Sequence, residues 1–259
     1  MSAPVTTAVI LAAGQGTRLR GEVDGYPKGF LRLGALPIVE ESVLRLAAAG
    51  ISDVVIVTGY SAGHYDDLAR RHPGRVRTVH NADFAASGSM YSLWCARQAV
   101  AGPFLLLESD LVYEPRALAA LLAHPAPDAI LLSGPTGAGD EVYVTAPGGR
   151  LRAMSKDRSR LADPVAGELV GISKISALLH ADMQRIAADA FRRSLRFDYE
   201  TDCLVAAAAT RPIDCPRLDD LLWGEIDDPA HLERVRGGIY PRVAALDRAA
   251  GIGVAPAGH

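Results

Sequence analysis

Val5-Thr6-Thr7-Ala8-Val9-Ile10-Leu11-Ala12-Ala13-Gly14-Gln15-Gly16-Thr17-Arg18-Leu19 is the stretch that decides the fold. Val5 to Leu11 is apolar and β-branched, as suits a strand buried on both faces. A glycine turn follows directly. Glycine tolerates positive φ and close backbone approach, so successive N–H groups can point at an anion. Arg18 adds a cationic fork. A dinucleotide fingerprint would need glycine where Leu19 stands, and no Gly-Lys-Ser/Thr run exists for a Walker loop. A lone GxG also suits a plain strand-to-helix turn. Pro27-Lys28 strengthens the anion reading, because proline fixes the approach and lysine projects a point charge back toward the loop.

Outward from this turn, strand-like and helix-like segments alternate. Pro37 to Ala49 carries a helical stripe of Ile38, Val39, Val43, Leu44 and Leu46, ended by Gly50. Asp53 to Thr58 predicts a buried strand, His64 to Arg71 a helix, Val76 to Val79 a strand and Met90 to Val100 a helix. Phe104 to Leu107 predicts a strand, Pro115 to Leu122 a helix and Ala129 to Leu132 a strand. This alternation implies an α/β fold with a mostly parallel sheet covered on both faces and ligands at the strand ends. The second half reads as a hairpin (Glu141 to Thr145, Leu151 to Met154), a strand (Glu168 to Ser173) and helices over Ile175 to Arg193 and Tyr199 to Ala209. The expected organisation is a single domain over 1–238, with a first half of about 1–135 and an inserted second half of about 136–238. A C-terminal tail, 239–259, follows, its last few residues expected to be mobile.

The 259 residues are 49% hydrophobic and 22% charged, the balance of a folded globular chain. The net charge of -3 argues against a broad nucleic-acid footprint. Cys95, Cys203 and Cys215 form no CxxC pair, which argues against a disulfide framework or a structural zinc site and suits a reducing cytoplasm. No apolar run is long enough for a bilayer, so no membrane partner is expected. The N-terminal apolar stretch has no basic flank and runs into Gly14-Gln15-Gly16 rather than a cleavage site. The seven histidines show no HxH or HExxH spacing, and Tyr60, Tyr65 and Trp94 read as packing residues.

The run Leu11 to Leu19 followed by Pro27-Lys28 resembles the signature of the nucleotidyltransferases that make activated sugars and alcohols (the MobA-like, nucleoside-diphospho-sugar transferase fold). The resemblance implies a three-layer α/β/α Rossmann-like fold whose half over about 1–135 binds the nucleotide and whose half over about 136–238 takes the acceptor. It implies that Leu11, Ala12, Ala13, Gly14, Gln15, Gly16 and Thr17 hold the nucleotide, while Arg18 and Lys28 neutralise its phosphates. The spacer Arg20 to Tyr26 departs from the commoner pattern. Asp110, in Glu108-Ser109-Asp110 past a buried strand, suits a magnesium ligand and equally a turn acid before Pro115. Trp223-Gly224-Glu225-Ile226-Asp227 resembles the family's late segment whose aspartate completes the metal site. Alternation puts Glu225 and Asp227 on one strand face, with Asp228 capping the next helix. The expected Mg2+ ligands are Asp110 and Asp227, with Glu225 behind them.

Asn81-Ala82-Asp83-Phe84-Ala85-Ala86-Ser87-Gly88-Ser89-Met90-Tyr91-Ser92-Leu93 is similar to the base-reading segment of the phosphocholine and phosphonate cytidylyltransferases. The resemblance nominates Asn81, Ser87, Gly88, Ser89, Ser92 and Ser109 for the nucleotide; Ser89 also suits a helix cap. Gly167 to Ser176 and Tyr199-Glu200-Thr201 resemble acceptor-side segments, nominating Glu168, Tyr199 and Glu200. Glu200 and Asp202 also suit first-turn helix acids. Arg150, Arg152, Lys156, Arg158 and Arg160 suit a solvated hairpin or a clamp on an anionic acceptor; Arg152 is taken for the acceptor and Lys156 matches the family's second lysine. The implied reaction joins CMP from CTP to a small phosphate or phosphonate and releases pyrophosphate. 2-Aminoethylphosphonate or phosphocholine come first, hydroxyalkylphosphonates and phosphonoformate next. The competing expectations are a sugar-1-phosphate or molybdopterin nucleotidyltransferase and a silent nucleotide-binding regulatory subunit. The chain is expected as monomer or homodimer.

Overall fold

The computed structural model describes residues 4–19 and 25–253. Most of the spacer Arg20 to Tyr26 and the end of the expected tail lie outside these residues. In chain order the elements are β1 Thr7–Ala12, α1 Ile38–Ala48, β2 Asp53–Thr58, α2 Gly63–Arg71, β3 Val76–His80, α3 Ser89–Cys95, β4 Phe104–Glu108, β5 Leu111–Tyr113, α4 Arg116–Ala123 and β6 Ala129–Ser133. They continue as β7 Tyr143–Thr145, β8 Ala153–Ser155, β9 Val165–Ile175, α5 Ala177–Phe191, α6 Val205–Ala208, β10 Arg217–Leu218, β11 Trp223–Glu225, α7 Pro229–Arg234 and α8 Tyr240–Ala249.

The main sheet runs β10-β6-β9-β4-β1-β2-β3, with the β7–β8 hairpin attached through β9. β1 pairs in parallel with β2 and β4, and β2 with β3. β9 is antiparallel to both β4 and β6. The sheet is therefore the mostly parallel one expected, with one reversed strand in its middle. β1 shows why both faces are covered. Val9 and Leu11 enter one core with Met90, Leu93, Met183 and Leu204, while Ala8 and Ile10 enter the opposite core with Val39, Val43, Leu68 and Leu118. The result is a three-layer α/β/α arrangement.

Several boundaries moved for local reasons. α3 stops at Cys95 rather than Val100, because Ala96, Arg97 and Ala99 donate to carbonyls three residues back, which tightens the chain into turns. α5 begins after Ser176, whose hydroxyl accepts from Leu179 N at 3.1 Å. β9 outruns its expected range because its first residues also pair with β7. The expected helix Tyr199 to Ala209 opens as a π turn over Tyr199–Leu204 before α6.

The segment set apart as a tail is docked over Tyr240–Ala249. Asp247 of α8 grips the guanidinium of Arg45 in α1, which is 1% exposed, at 2.7–3.1 Å. Tyr240 Oη donates to Glu41 at 2.6 Å. A third core of Leu19, Leu31, Ile38, Val112, Ile226, Leu232, Val235 and Val243 joins this C-terminal region to the chain around the glycine turn. No helix of the described residues is long and apolar enough to cross a membrane.

Candidate active site

β1 ends at Ala12 and releases the chain into the glycine turn, closed by Leu19 N donating to Gly16 O at 3.1 Å. Gly16 has φ +59°, and a Cβ there would meet Lys28 Cγ at 2.8 Å. Its glycine is thus required twice, by conformation and by the lysine lying across it. Pro27 delivers Lys28 in extended backbone to a short turn, Lys28–Phe30. Gly29 behind it is equally confined: an added Cβ would meet Tyr65 Oη at 2.9 Å and Ser109 O at 3.1 Å.

Lys28 Nζ donates to Asp110 Oδ2 at 3.1 Å and also to Asp227. Arg18 reaches the other oxygen of Asp227 at 2.6 Å. Burial alone would lower the Lys28 pKa, but Asp110 and Asp227 outweigh it and raise the pKa above the ordinary lysine value. Burial likewise works to raise the Asp227 pKa, and Lys28 and Arg18 overcome it, holding that carboxyl well below the usual range.

The two aspartates come from distant segments, and the β5–β11 ladder brings them together. Glu225 pairs with Leu111, and Ile226 N donates to Asp110 O at 3.1 Å. Glu225 and Asp227 both reach the site but join different groups. Glu225 lies with Glu108 and Asp110, one oxygen of each being within 4.8 Å of the others. Asp227 lies similarly with Asp140 and His231. Burial, then Glu108, Asp110 and Asp227, pushes the Glu225 carboxyl up to about 10. Glu108 is also raised well above its ordinary value, by burial first and then by Glu200 and Asp110. Asp228 caps α7, accepting from His231 N at 2.9 Å.

A cleft of about 260 Å³ opens here, lined by Leu11, Ala13, Gly14, Gly16, Lys28, Tyr65, Phe84, Ser87, Gly88, Ser89, Ser92, Glu108, Ser109 and Asp110. Ala12 is buried behind it, and Gln15 and Thr17 are exposed outside its lining. Asn81 is fully buried and shapes the wall from behind. Its amide donates to Ser87 Oγ at 3.0 Å and Ser92 Oγ at 3.1 Å, and its carbonyl oxygen accepts from Asp83 N at 3.0 Å. Ser89 is not the cap of α3, which is Gly88. Its hydroxyl accepts from Tyr199 N at 2.9 Å and lies 3.3 Å from Glu200 Oε2, tying this wall of the cleft to the Tyr199–Glu200 segment.

Tyr199 is buried and donates from Oη to Glu108 Oε1 at 2.9 Å. Glu200 is pushed up to about 7, chiefly by burial. Lys156 is exposed, yet near enough to Glu200 and Asp140 for its charge to favour their ionised forms. Arg152 is exposed and lines none of the clefts described here. Glu168 sits apart from the main cleft. It accepts from Thr136 N at 2.8 Å and lines a neighbouring cleft of about 310 Å³ with Glu141, Tyr143, Arg158 and Arg217. Sequence reading passed over Phe84, Glu108, Asp140 and His231. Glu108 and Phe84 stood inside quoted motifs; nothing in the sequence pairs residue 140 with residue 231.

Comparison with known proteins shows the family. Residues 8–213 match the MobA-like NTP transferase domain. The CMP-5'-(3-aminopropyl)phosphonate synthase of Streptomyces rubellomurinus is 30% identical over 240 residues, covering 86% of this chain and 37% of that protein. The choline-phosphate cytidylyltransferase of Streptococcus pneumoniae is 33% identical over 107 residues, 41% of this chain and 46% of the relative. The matches thus span less than half the length of these curated relatives. Among solved structures, the inositol-1-phosphate CTP transferase from T. maritima superposes with a TM-score of 0.82 at 20% identity, covering 98% of this chain and 100% of that one. With a strand-end glycine turn facing a lysine held between two aspartates, and a family match over most of its length, the chain belongs to the MobA-like NTP transferase domain family.

Proposed function

We propose that this protein is a CTP-dependent cytidylyltransferase that joins CMP to a small phosphate or phosphonate acceptor bearing a cationic tail and releases pyrophosphate. The observation that carries the reading is Lys28, lying across Gly16 and held between Asp110 and Asp227 at the mouth of the sheet. An acceptor oxygen attacks the α-phosphorus, the bond to pyrophosphate breaks, and no proton has to be removed from an oxygen that is already anionic. The obstacle is repulsion, about 4 kcal/mol per charge pair at ~4 Å and an effective dielectric of about 20. Lys28 and Arg18 neutralise the phosphates beside the glycine turn, and Lys156 approaches from the acceptor side.

The donor set suits magnesium. It is all oxygen, and burial with mutual repulsion raises the Glu225 and Glu108 carboxyls, which a divalent cation bound there would return to their ionised forms. Asp110, with Asp227 and Glu225 near it, would hold the ion, which supplies Lewis-acid charge stabilisation when bound. The preference for a cationic tail rests on Glu108, which lines the cleft, and on Glu200 beside Ser89 of its wall: burial raises both carboxyls, and a cation bound near them would favour their ionised forms. CTP as donor, and phosphocholine or 2-aminoethylphosphonate as acceptors, are supported by the named activities of similar proteins.

The test is pyrophosphate release with magnesium across CTP, UTP, GTP and ATP, each against 2-aminoethylphosphonate, phosphocholine, hydroxyethylphosphonate and glucose 1-phosphate. CTP with an aminated acceptor should be turned over fastest. Turnover only with glucose 1-phosphate would replace the reading by a sugar nucleotidyltransferase. CTP binding without pyrophosphate release would mark a silent regulatory subunit.

A further inference from the structure

The chain from β6 to β7 brings Asp140 within 3.9 Å of Arg18 and is fixed at several points. Gly137 and Gly139 have φ of +65° and +102°, so the chain turns where side-chain-bearing residues would be strained. Thr136 N is held by Glu168 of β9 at 2.8 Å. His231 of α7, 3% exposed, brings its Nε2 within 3.1 Å of Ala138 O and 3.3 Å of Asp140 Oδ1. A carbonyl oxygen only accepts, so Nε2 carries the proton; Nδ1 is buried without a partner. The ring therefore presents no free lone pair to Asp140 and Asp227. The three residues do not form a ready metal site, although their polar atoms lie within 4.8 Å of one another. What the histidine does is pin the backbone at Ala138, two residues before Asp140, with Nε2 also 3.3 Å from the Asp140 carboxylate.

That place is beside Arg18. The guanidinium straddles two carboxylates, with Nη2 2.6 Å from Asp227 and Nη1 3.9 Å from Asp140. The Arg18 side chain is 54% exposed and sits on a loop, so it is free to swing unless something outside the loop restrains it. Asp227 already serves Lys28. Asp227 Oδ2 takes one end of the guanidinium, and Asp140 Oδ2, buried without a hydrogen-bond partner, faces the other end at ion-pair range.

We propose that Asp140, on the segment that His231 pins at Ala138, is a positioning residue for nucleotidyl transfer: with Asp227 it keeps Arg18 in register over the glycine turn so that its charge meets the triphosphate. The inference rests on the transferase reading above.

The full chain is assayed by pyrophosphate release from CTP with 2-aminoethylphosphonate or phosphocholine, and by calorimetric binding of CTP. Asp140→Asn should lower kcat/KM for CTP about tenfold while leaving the acceptor KM within about twofold. His231→Gln, which keeps a donor at similar reach, should retain most activity, whereas a folded His231→Phe should match Asp140→Asn. In an Arg18→Ala background Asp140→Asn should cost less than about twofold, since its effect runs through Arg18. Losses that multiply independently, or Asp140→Asn within twofold of the parent, overturn the proposal. If the parent protein transfers nucleotide to no acceptor, the transferase reading fails separately. The same cycle read in CTP dissociation constants then decides: coupling between Asp140 and Arg18 supports the proposal, and additivity or no CTP binding overturns it.

Discussion

Replacing Lys28 by methionine keeps the length of the side chain and deletes its charge. At 3.1 Å from Asp110 and an effective dielectric of about 20, one such pair is worth about 5 kcal/mol before desolvation is subtracted. The side chain is only 16% exposed, so solvent replaces little of that interaction. Losing one preorganised charge beside a transferring group costs about 3–4 kcal/mol of transition-state stabilisation, or a 10²–10³-fold loss of kcat. The fold should lose less, about 1–3 kcal/mol, because the stranded carboxylates can take up protons. The sign of the pH dependence follows from Asp227. Its folded pKa is depressed, so its stabilisation is complete above the ordinary aspartate pKa of about 4 and fades as pH falls through the folded value. The stability gap between parent and Lys28→Met should therefore be widest near pH 7 and shrink below about pH 4. Pyrophosphate release at saturating CTP and acceptor measures the first effect, and urea unfolding at pH 7 and pH 3.5 the second. A folded Lys28→Met with kcat within tenfold of the parent would refute the role given to this charge.

Three further variants probe other parts of the structure. Glu200→Gln should raise KM for 2-aminoethylphosphonate about tenfold and change KM for hydroxyethylphosphonate little; equal effects on both would remove Glu200 from recognition of a cationic tail. Glu225→Gln should stabilise the protein in chelator, because a carboxyl raised to about 10 leaves the folded state binding more protons than the unfolded one, so stability falls as pH rises from about 4.5. The gain should grow between pH 5 and pH 8 to about 2–3 kcal/mol, and a pH-independent melting difference would contradict it. Asp247→Ala should cost about 3–5 kcal/mol by stranding the buried Arg45 guanidinium, read as a lower urea midpoint; a loss under about 1 kcal/mol would show that α8 is not anchored there.

The layered fold was readable because its signals are local. Asp53–Thr58 is an uninterrupted apolar run that a parallel strand buries on both faces, and β2 occupies that range without change. The glycine turn with Pro27-Lys28 was equally legible, since positive φ at Gly16 and the fixed approach at Pro27 are written in residue type. β5 was not: three residues have no periodicity of their own and become a strand only through β11, more than a hundred positions away. That same ladder brings Glu225 to Glu108 and Asp110, and Asp227 to Lys28. Alternation had placed both acids on one face; both reach the site, but the strand ends at Glu225 and the two acids join different groups.

The sequence by itself determined a parallel α/β sheet, an anion-ready turn at the end of its first strand and the residue types able to neutralise phosphate. Tertiary structure alone decided how those charges are shared. Lys28 lies between two aspartates, Glu168 belongs to a neighbouring cleft, and Asp140 comes within 3.9 Å of Arg18 and 3.3 Å of His231. The physical reason is range: backbone preference and hydrophobic period act over a few residues, whereas electrostatic partnership depends on distances that exist only after distant segments have packed.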